Sequence, residues 1–324
     1  MMTTQTELPP FEVDLRRTPG AAKTAYVVYN AAAGGSRQKV EIEDVRKRFL
    51  ANGWSVATIA TRCAGDGTEA ARHAMGLGAD VVVAMGGDGT VNEVAQALAK
   101  TAMPLGIVPI GTVNVLVREL GLSLDAMEAV DIIATGEPLA IDLGTVNGRY
   151  FTMMSSLGYD AASAFAMIPT VKQWSGQLAY WIGAVQSFGK HRAVRAKIVL
   201  EDGKRKKRLR RLIYMMVISN TQLYGDGALK FTPQANVRDG LLDICLIRSA
   251  RWYRALLHIV LSFTGKIGSV SDVETFRTRR ITITTSRPFP YQIDGDPVGH
   301  TPVVIEVAPL GLHVMVRPGN QPRV

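Results

Sequence analysis

The residues best suited to chemistry lie where the apolar run Val81-Val82-Val83-Ala84-Met85 passes into Gly86-Gly87-Asp88-Gly89-Thr90-Val91-Asn92-Glu93. A buried parallel strand reads as an unbroken apolar run, and a glycine turn after it lets backbone amides approach an anion that side chains would exclude. Thr90 is expected to start the next helix, whose unpaired amides and positive dipole end would face the same anion. Three glycines around one carboxylate exceed what a plain strand-to-helix turn requires. The chemistry this points to is phosphate binding. A second acidic element, Asp294-Gly295-Asp296, could supply a carboxylate that accepts a proton from an attacking hydroxyl. Lying between strand-like segments, its Asp-Gly pair also reads as a two-residue hairpin turn.

Phosphate binding of this kind needs a parallel sheet, and the first part of the chain supplies the pattern. Strand-like segments at 25–29, 54–60, 80–84 and 105–109 alternate with helical ones, among them the apolar stripe Val40, Val45, Phe49, Leu50. Each right-handed crossover between parallel strands needs a helix, so the arrangement is α/β and doubly wound. Ligands in such sheets sit beyond the carboxyl ends of the strands. Four loops fall there: Asn30-Ala31-Ala32-Ala33-Gly34-Gly35-Ser36-Arg37, Thr61, 86–92, and Gly111-Thr112-Val113-Asn114.

After about residue 140 the texture becomes short β-type segments joined by turn signals. Segments 141–146 and 149–154 flank Asn147-Gly148, a pair that favours a two-residue hairpin turn. Others follow at 196–200, 212–219, 241–247, 280–285, 290–293, 303–307 and 312–316, with helical interruptions at 177–188 and 252–263. The expected plan is α/β plus all-β. A loose tail at 1–22 precedes a nucleotide domain at 23–139, and an antiparallel β-sandwich at 140–310 would bind the second substrate. A strand at 311–318 is free to return to the first domain.

The 324 residues carry 37 Lys and Arg against 28 Asp and Glu, a net charge of +9 that favours anionic partners. Cys63 and Cys245 are far apart and without metal-type spacing, which fits a reducing cytoplasm and argues against disulfides or zinc. The first twenty residues hold acids and prolines without an apolar stretch, unlike a secretory signal. No apolar run approaches the roughly 20 residues of a spanning helix, so any membrane contact is peripheral.

Taken together, these motifs resemble the diacylglycerol kinase catalytic family, which includes sphingosine, ceramide and bacterial lipid kinases. The resemblance runs from about residue 25 to 316. It rests on 86–93, Gly111-Thr112-Val113-Asn114, Tyr224-Gly225-Asp226-Gly227 with Phe231-Thr232-Pro233, Asp239-Gly240-Leu241-Leu242-Asp243, and Asp294-Gly295-Asp296. By this resemblance ATP phosphates lie against Gly86, Gly87, Asp88, Gly89, Thr90, Val91 and Asn92, with Asn30, Arg37, Thr61, Thr112 and Asn114 lining the nucleotide. Asp88 is implied to hold Mg2+, with Asp142 near its bound water, and Asn236, Asp239 and Leu241 to bind a second, structural cation. Asp294 becomes the general base, and Asp296 takes the place of the family's glutamate. Val115 stands where many members carry an aspartate, and Ala31 where proline is common.

The run Lys204-Arg205-Lys206-Lys207-Arg208-Leu209-Arg210-Arg211 puts seven cations in eight residues, read as a loop that meets anionic membrane. It lacks the interleaved aromatics of a nucleic-acid surface. Trp174, Leu178, Trp181, Ile182, Val185 and Phe188 form an apolar stripe that is either core or the wall of an acyl-chain pocket. The leading expectation is an ATP-dependent, Mg2+-using lipid kinase, cytoplasmic and peripherally membrane-associated, with a homodimer compatible with the sequence. A soluble-substrate kinase of the NAD kinase type and a non-catalytic nucleotide-binding, membrane-docking protein are the alternatives.

Overall fold

A computed structural model describes residues 11–30, 40–166, 191–225, 227–248 and 252–320. Arg37, Asp226, the rest of the loop after Asn30, and the stripe 174–188 with its expected helix lie outside the described residues. The chain divides into two compact units: Met1–Val117, Leu122–Ala140 and Leu312–Asn320 form the first, and Arg118–Gly121, Ile141–Gly311 and Gln321–Val324 the second.

In the first unit, in chain order, are β1 (Val13–Arg16), β2 (Thr24–Asn30), α1 (Ile42–Ala51), β3 (Ser55–Thr61), α2 (Asp66–Gly76), β4 (Val81–Gly86), α3 (Asp88–Leu98) and β5 (Pro104–Pro109). The short α4 (Val115–Glu119) and α5 (Ala126–Thr135) follow. The strand order is β1-β3-β2-β4-β5. The last four strands of that order are parallel, and the chain's final strand joins β5 in parallel through His313 and Val314. β1 pairs antiparallel with β3 inside the segment expected to be a loose tail. Every residue of β4 is buried, as its uninterrupted apolar composition requires. On one face Val45 and Phe49 of α1 and Val130 and Ile133 of α5 pack with Val27, Val56 and Val83 of the strands.

The second unit contains β6 (Glu137–Val146, from Ile141), β7 (Arg149–Phe151), β8 (Met154–Gly158), α6 (Tyr159–Ala166), β9 (Val194–Asp202), β10 (Arg205–Ile213) and β11 (Met215–Ser219). After these come β12 (Leu242–Ile247), α7 (Trp252–Phe263), β13 (Val273–Thr278), β14 (Arg280–Thr285), β15 (Pro290–Ile293), β16 (Asp296–His300) and β17 (Val303–Val316, as far as Gly311). One layer is ordered β13-β12-β11-β8-β15-β16 and is antiparallel throughout. The other runs β17-β14-β9-β10, with β6 on β17 and β7 on β6. Ile198, Ile281 and Ile305 of one layer share a core with Met216, Ile244 and Ile293 of the other, which makes this unit the expected sandwich.

Two turns behave as their sequences require. Asn147 and Gly148 both have positive φ, 49° and 91°, as the hairpin between β6 and β7 demands. Opposite that turn Gly144 pairs with Phe151, whose fully buried ring occupies the place a Cβ would take. Gly144→Ala should therefore overpack the sandwich by about 1–3 kcal/mol. The expected outcome is a lower thermal midpoint by circular dichroism, partly restored by pairing the change with Phe151→Leu.

Candidate functional site

The glycine turn of the first unit is built by backbone contact. β4 ends at Gly86, Gly87 is the N-cap of α3 with φ −97° and ψ −169°, and no side chain caps that helix end. The helix starts at Asp88 rather than at Thr90, which lies in the first turn with its side chain folded over Gly86. A Cβ on Gly86 would overlap that threonine. Gly111 approaches from the next strand-end loop so closely that a Cβ on it would stand 2.5 Å from the Gly87 Cα and 2.8 Å from Asn114 Oδ1. The amides of Ile110 and Gly111 donate to the Gly86 carbonyl at 3.1 and 3.3 Å, and Asn114 Nδ2 donates to the Gly111 carbonyl at 2.9 Å. Asn114 takes φ +55°, a conformation that asparagine tolerates better than most residues.

This brings Gly86 to Thr90 and Gly111 to Asn114 to one sheet end, with Gly89 and Thr112 exposed. An uncapped helix N-terminus lined by glycine presents amides and a positive dipole end to an anion. Thr61 and Asn30 pair across the neighbouring strand ends, where the Thr61 hydroxyl donates to the Tyr29 carbonyl at 3.2 Å. Val91 and Asn92 are buried in the first turns of α3, and Asn92 Oδ1 accepts from Gln96. Asp88 Oδ1 accepts the Val115 amide at 2.7 Å. The Val115 side chain is only 3% exposed, so this position contributes an amide and a packed apolar group in place of a carboxylate. Glu93, to which the motif assigned no task, accepts the amides of Gly65 and Gly67 at 2.9 Å each and so closes the start of α2.

In the second unit Asp294 has φ +46° and Gly295 φ +93°, so the Asp-Gly pair is indeed a hairpin turn, between β15 and β16. It is also more than a turn. Asp294 Oδ2 accepts the Thr152 amide at 2.9 Å and the Thr152 hydroxyl at 3.0 Å, and Oδ1 accepts the Met153 and Met154 amides at 3.1 and 2.8 Å. Burial pushes the carboxyl above the usual carboxylate range, against the downward pull of these four donors. Gln292 supports the turn from behind: its Oε1 accepts the Gly295 amide at 2.6 Å while its Nε2 donates to Ser156 and Asp160. Asp296 points elsewhere, exposed and ion-paired with Arg149 at 3.2 Å.

The residues expected around cations have protein partners. Asp142 is fully buried; its two carboxylate oxygens accept the Gly240 and Leu310 amides at 2.7 Å each, and burial raises its pKa. Asn236 and Asp239 cap their own turn through the amides of Arg238 and Leu241 at 3.0 Å each. The other Asp239 oxygen takes the Arg277 guanidinium, which also reaches Asp243 at 3.2 Å, so this loop carries its own cation. Among the described residues no group of three or more His, Cys, Asp or Glu side chains could hold a metal ion. Thr152 and Asn220 were not singled out by the motifs. Asn220 Nδ2 bridges the carbonyls of Asp142 and Thr152 at 2.8 and 3.1 Å, joining the Asp142 network to the segment that grips Asp294. A polar residue directly after the apolar strand β11 is the one sequence signal that could have found it.

Comparison with known proteins agrees with this arrangement. Residues 24–146 match the diacylglycerol kinase catalytic domain, and 153–316 match the YegS C-terminal NAD kinase beta sandwich-like domain. A Bacillus subtilis protein named diacylglycerol kinase is 29% identical over 283 residues, covering 86% of this chain and 92% of its own. One of the same name from Staphylococcus aureus strain RF122 is 29% identical, covering 86% and 88%. A crystal structure described as a diacylglycerol kinase from Bacillus anthracis strain Sterne superposes with a TM-score of 0.68 at 19% identity, covering 92% of this chain and 98% of that one, a likeness of fold. With a glycine-lined helix start in its first unit and an amide-gripped aspartate in its second, the chain belongs to the diacylglycerol kinase catalytic family of YegS type, a kinase of the lipid-kinase class.

Proposed function

We propose that the protein transfers the γ-phosphate of ATP to a hydroxyl of a diacylglycerol-like or sphingoid lipid, with Asp294 accepting the hydroxyl proton. The observation that carries this reading is the glycine-on-glycine contact of Gly87 and Gly111 at the start of α3, where backbone lies on backbone and no side chain caps the helix amides. Thr61, Thr112 and Asn114 would border the nucleotide from adjoining strand ends. Asp88 offers a carboxylate, the hard oxygen donor that magnesium takes, in the first turn of that helix. Magnesium held by Asp88 and the nucleotide phosphates would neutralise the charge spread over the transferred phosphoryl group. No step is assigned to Asp142, Asn236, Asp239, Leu241 or Asp296.

Asp294 is fixed by three amides that cannot turn and one hydroxyl that can. A carboxylate has about four lone-pair positions, and these four donors match that number. Rotation of the Thr152 hydroxyl toward an incoming alcohol would free Oδ2 for the proton. The proposal includes contact of the Lys204 to Arg211 segment with anionic membrane. That segment is not a loop: from Arg205 it is the edge strand β10, with Arg205, Lys206, Lys207 and Arg208 exposed.

Labelled ATP offered with diacylglycerol, sphingosine, ceramide, phosphatidylglycerol or NAD should label a lipid acceptor; transfer to NAD alone would overturn the assignment. Asp294→Asn should lower kcat by about 10²–10⁴-fold while ATP titration stays unchanged. Undiminished turnover in that variant, with its thermal midpoint recorded beside it, would remove Asp294 as the base. The base must be ionised to act, so activity should fall as pH falls through its raised pKa. Thr152→Val removes a donor that favours the ionised form, and the acid limb of the kcat profile should move to higher pH.

A further inference from the structure

The helix α7 turns an apolar arc to solvent. Its inward side carries His258 and Ser262, 4% and 0% exposed, while Leu257, Val260 and Phe263 are 44%, 60% and 51% exposed. These three apolar residues are spaced three apart, which places them on a single arc about 120° wide. The inward side is held by polar contacts: Asp272 meets His258 at 3.3 Å and Arg254 at 3.0 Å, and the Ser262 carbonyl accepts the Lys230 amide at 2.8 Å. A surface helix normally turns its apolar stripe inward and its polar face to water. Here Ala255, Ile259 and Leu261 are half-buried beside His258 and Ser262, while Leu257, Val260 and Phe263 stand in solvent.

We infer that α7 is an interfacial anchor, and that Leu257, Val260 and Phe263 enter the acyl boundary of an anionic bilayer with the helix lying along it. Its 12 residues are too few to cross, since about 20 are needed. An amphipathic helix of this length lies in the interface with its apolar face buried.

The choice of bilayer over a second copy of the chain rests on charge. Lys266, exposed just beyond the helix, has no carboxylate partner among the described residues. The same holds for Arg208 and Arg210 of β10 and for Arg195 and Lys197 of β9. Register puts Arg208 opposite Val199, Arg210 opposite Lys197 and Leu212 opposite Arg195, so these cations share one face of the ribbon. The alternate residues serve the other face, where Arg211 pairs with Glu274 and Lys207 lies over the Phe276 ring. Glu274 also meets Arg248, whose amide donates to the Asp272 carbonyl, so an ion pair and a backbone hydrogen bond connect that other face of β10 to the residue that holds α7. A second copy, itself at +9, would bring like charge against this surface. Anionic lipid supplies the opposite charge, and stable attachment takes two signals, an apolar insertion together with a basic patch.

This inference rests on the lipid-kinase reading for its biological sense, but its test uses neither ATP nor acceptor. Co-sedimentation with vesicles of equal parts phosphatidylcholine and phosphatidylglycerol should bind the whole protein at low salt. At about 1 M salt, where the screening length is roughly 3 Å, a bound fraction should persist. In Leu257→Gln/Val260→Gln/Phe263→Gln the high-salt affinity should fall at least about tenfold, because apolar insertion is what resists screening. Arg208→Gln/Arg210→Gln should instead weaken low-salt binding and spare the high-salt remainder. All five positions are at the surface, and unchanged thermal midpoints check that the fold is kept. Equal high-salt binding by the triple variant would overturn the inference. So would a dimeric wild type that the triple variant turns into a monomer, since that assigns the face to a second copy.

Discussion

Backbone amides in the irregular segments of this protein need acceptors, and carboxylates meet that need. Asp66 accepts the amides of Arg62 and Cys63, Glu93 those of Gly65 and Gly67, and Asp88 that of Val115. In the second unit Glu119 accepts from Gln222 and Leu223, Asp142 from Gly240 and Leu310, and Asp294 from Thr152, Met153 and Met154. Hydrogen bonds to a charged group contribute about 1.5–3 kcal/mol each, and losing the acceptor leaves a buried amide unmet at similar cost. Among the described residues, the loops after β3 and β5 have such acids beneath them, Asp66 and Glu93 in the first and Asp88 in the second. The Asp66 carboxyl is held below its ordinary range chiefly by the Arg62 amide, which is the electrostatic mark of the same arrangement.

This arrangement explains which parts of the site could be read from residue order. Gly86, Gly87 and Gly111 were visible as a cradle because glycine is the only residue that permits backbone on backbone, and close approach is what the structure uses it for. Acids were visible as acids, but an acid that grips an amide and one that grips a cation have the same letters. Asp142 and Asp239 illustrate the difference: their partners are amides of Gly240, Leu310 and Leu241 and the guanidinium of Arg277, all fixed by folding. Asn220 and Thr152, which join the networks, belong to no motif because their roles depend on where distant strands meet.

The same holds for the elements. Strands β2 to β5 could be read directly because parallel strands buried on both faces carry continuous apolar runs. β10 could not, because its alternate residues are cations on both faces, so the period of two is hidden from a hydrophobic pattern. β17 read as two strands because Ala308-Pro309-Leu310-Gly311 is turn-like, and Leu310 does take φ +48°. The chain nevertheless stays extended on either side, giving residues 303–311 to one unit and 312–316 to the other. α7 was readable as a helix from its composition, whereas the contacts of its inward side with Asp272, a residue outside it, were not.

Two acids of the second unit, Asp142 and Asp294, are alike in kind, and exposure separates them. Both have carboxyls raised by burial, and both accept backbone amides. Asp142 is completely enclosed, so a proton gained or lost there would leave a buried change of charge with nothing to meet it. Asp294 is partly exposed at the tip of a hairpin, and one of its four donors is a hydroxyl able to rotate. A raised pKa makes a carboxylate a better proton acceptor, but only if a donor can reach it. Of the two, Asp294 alone combines a carboxyl raised by burial with partial exposure and a donor hydroxyl that can turn, which is the ground for proposing it, rather than Asp142, as the proton acceptor.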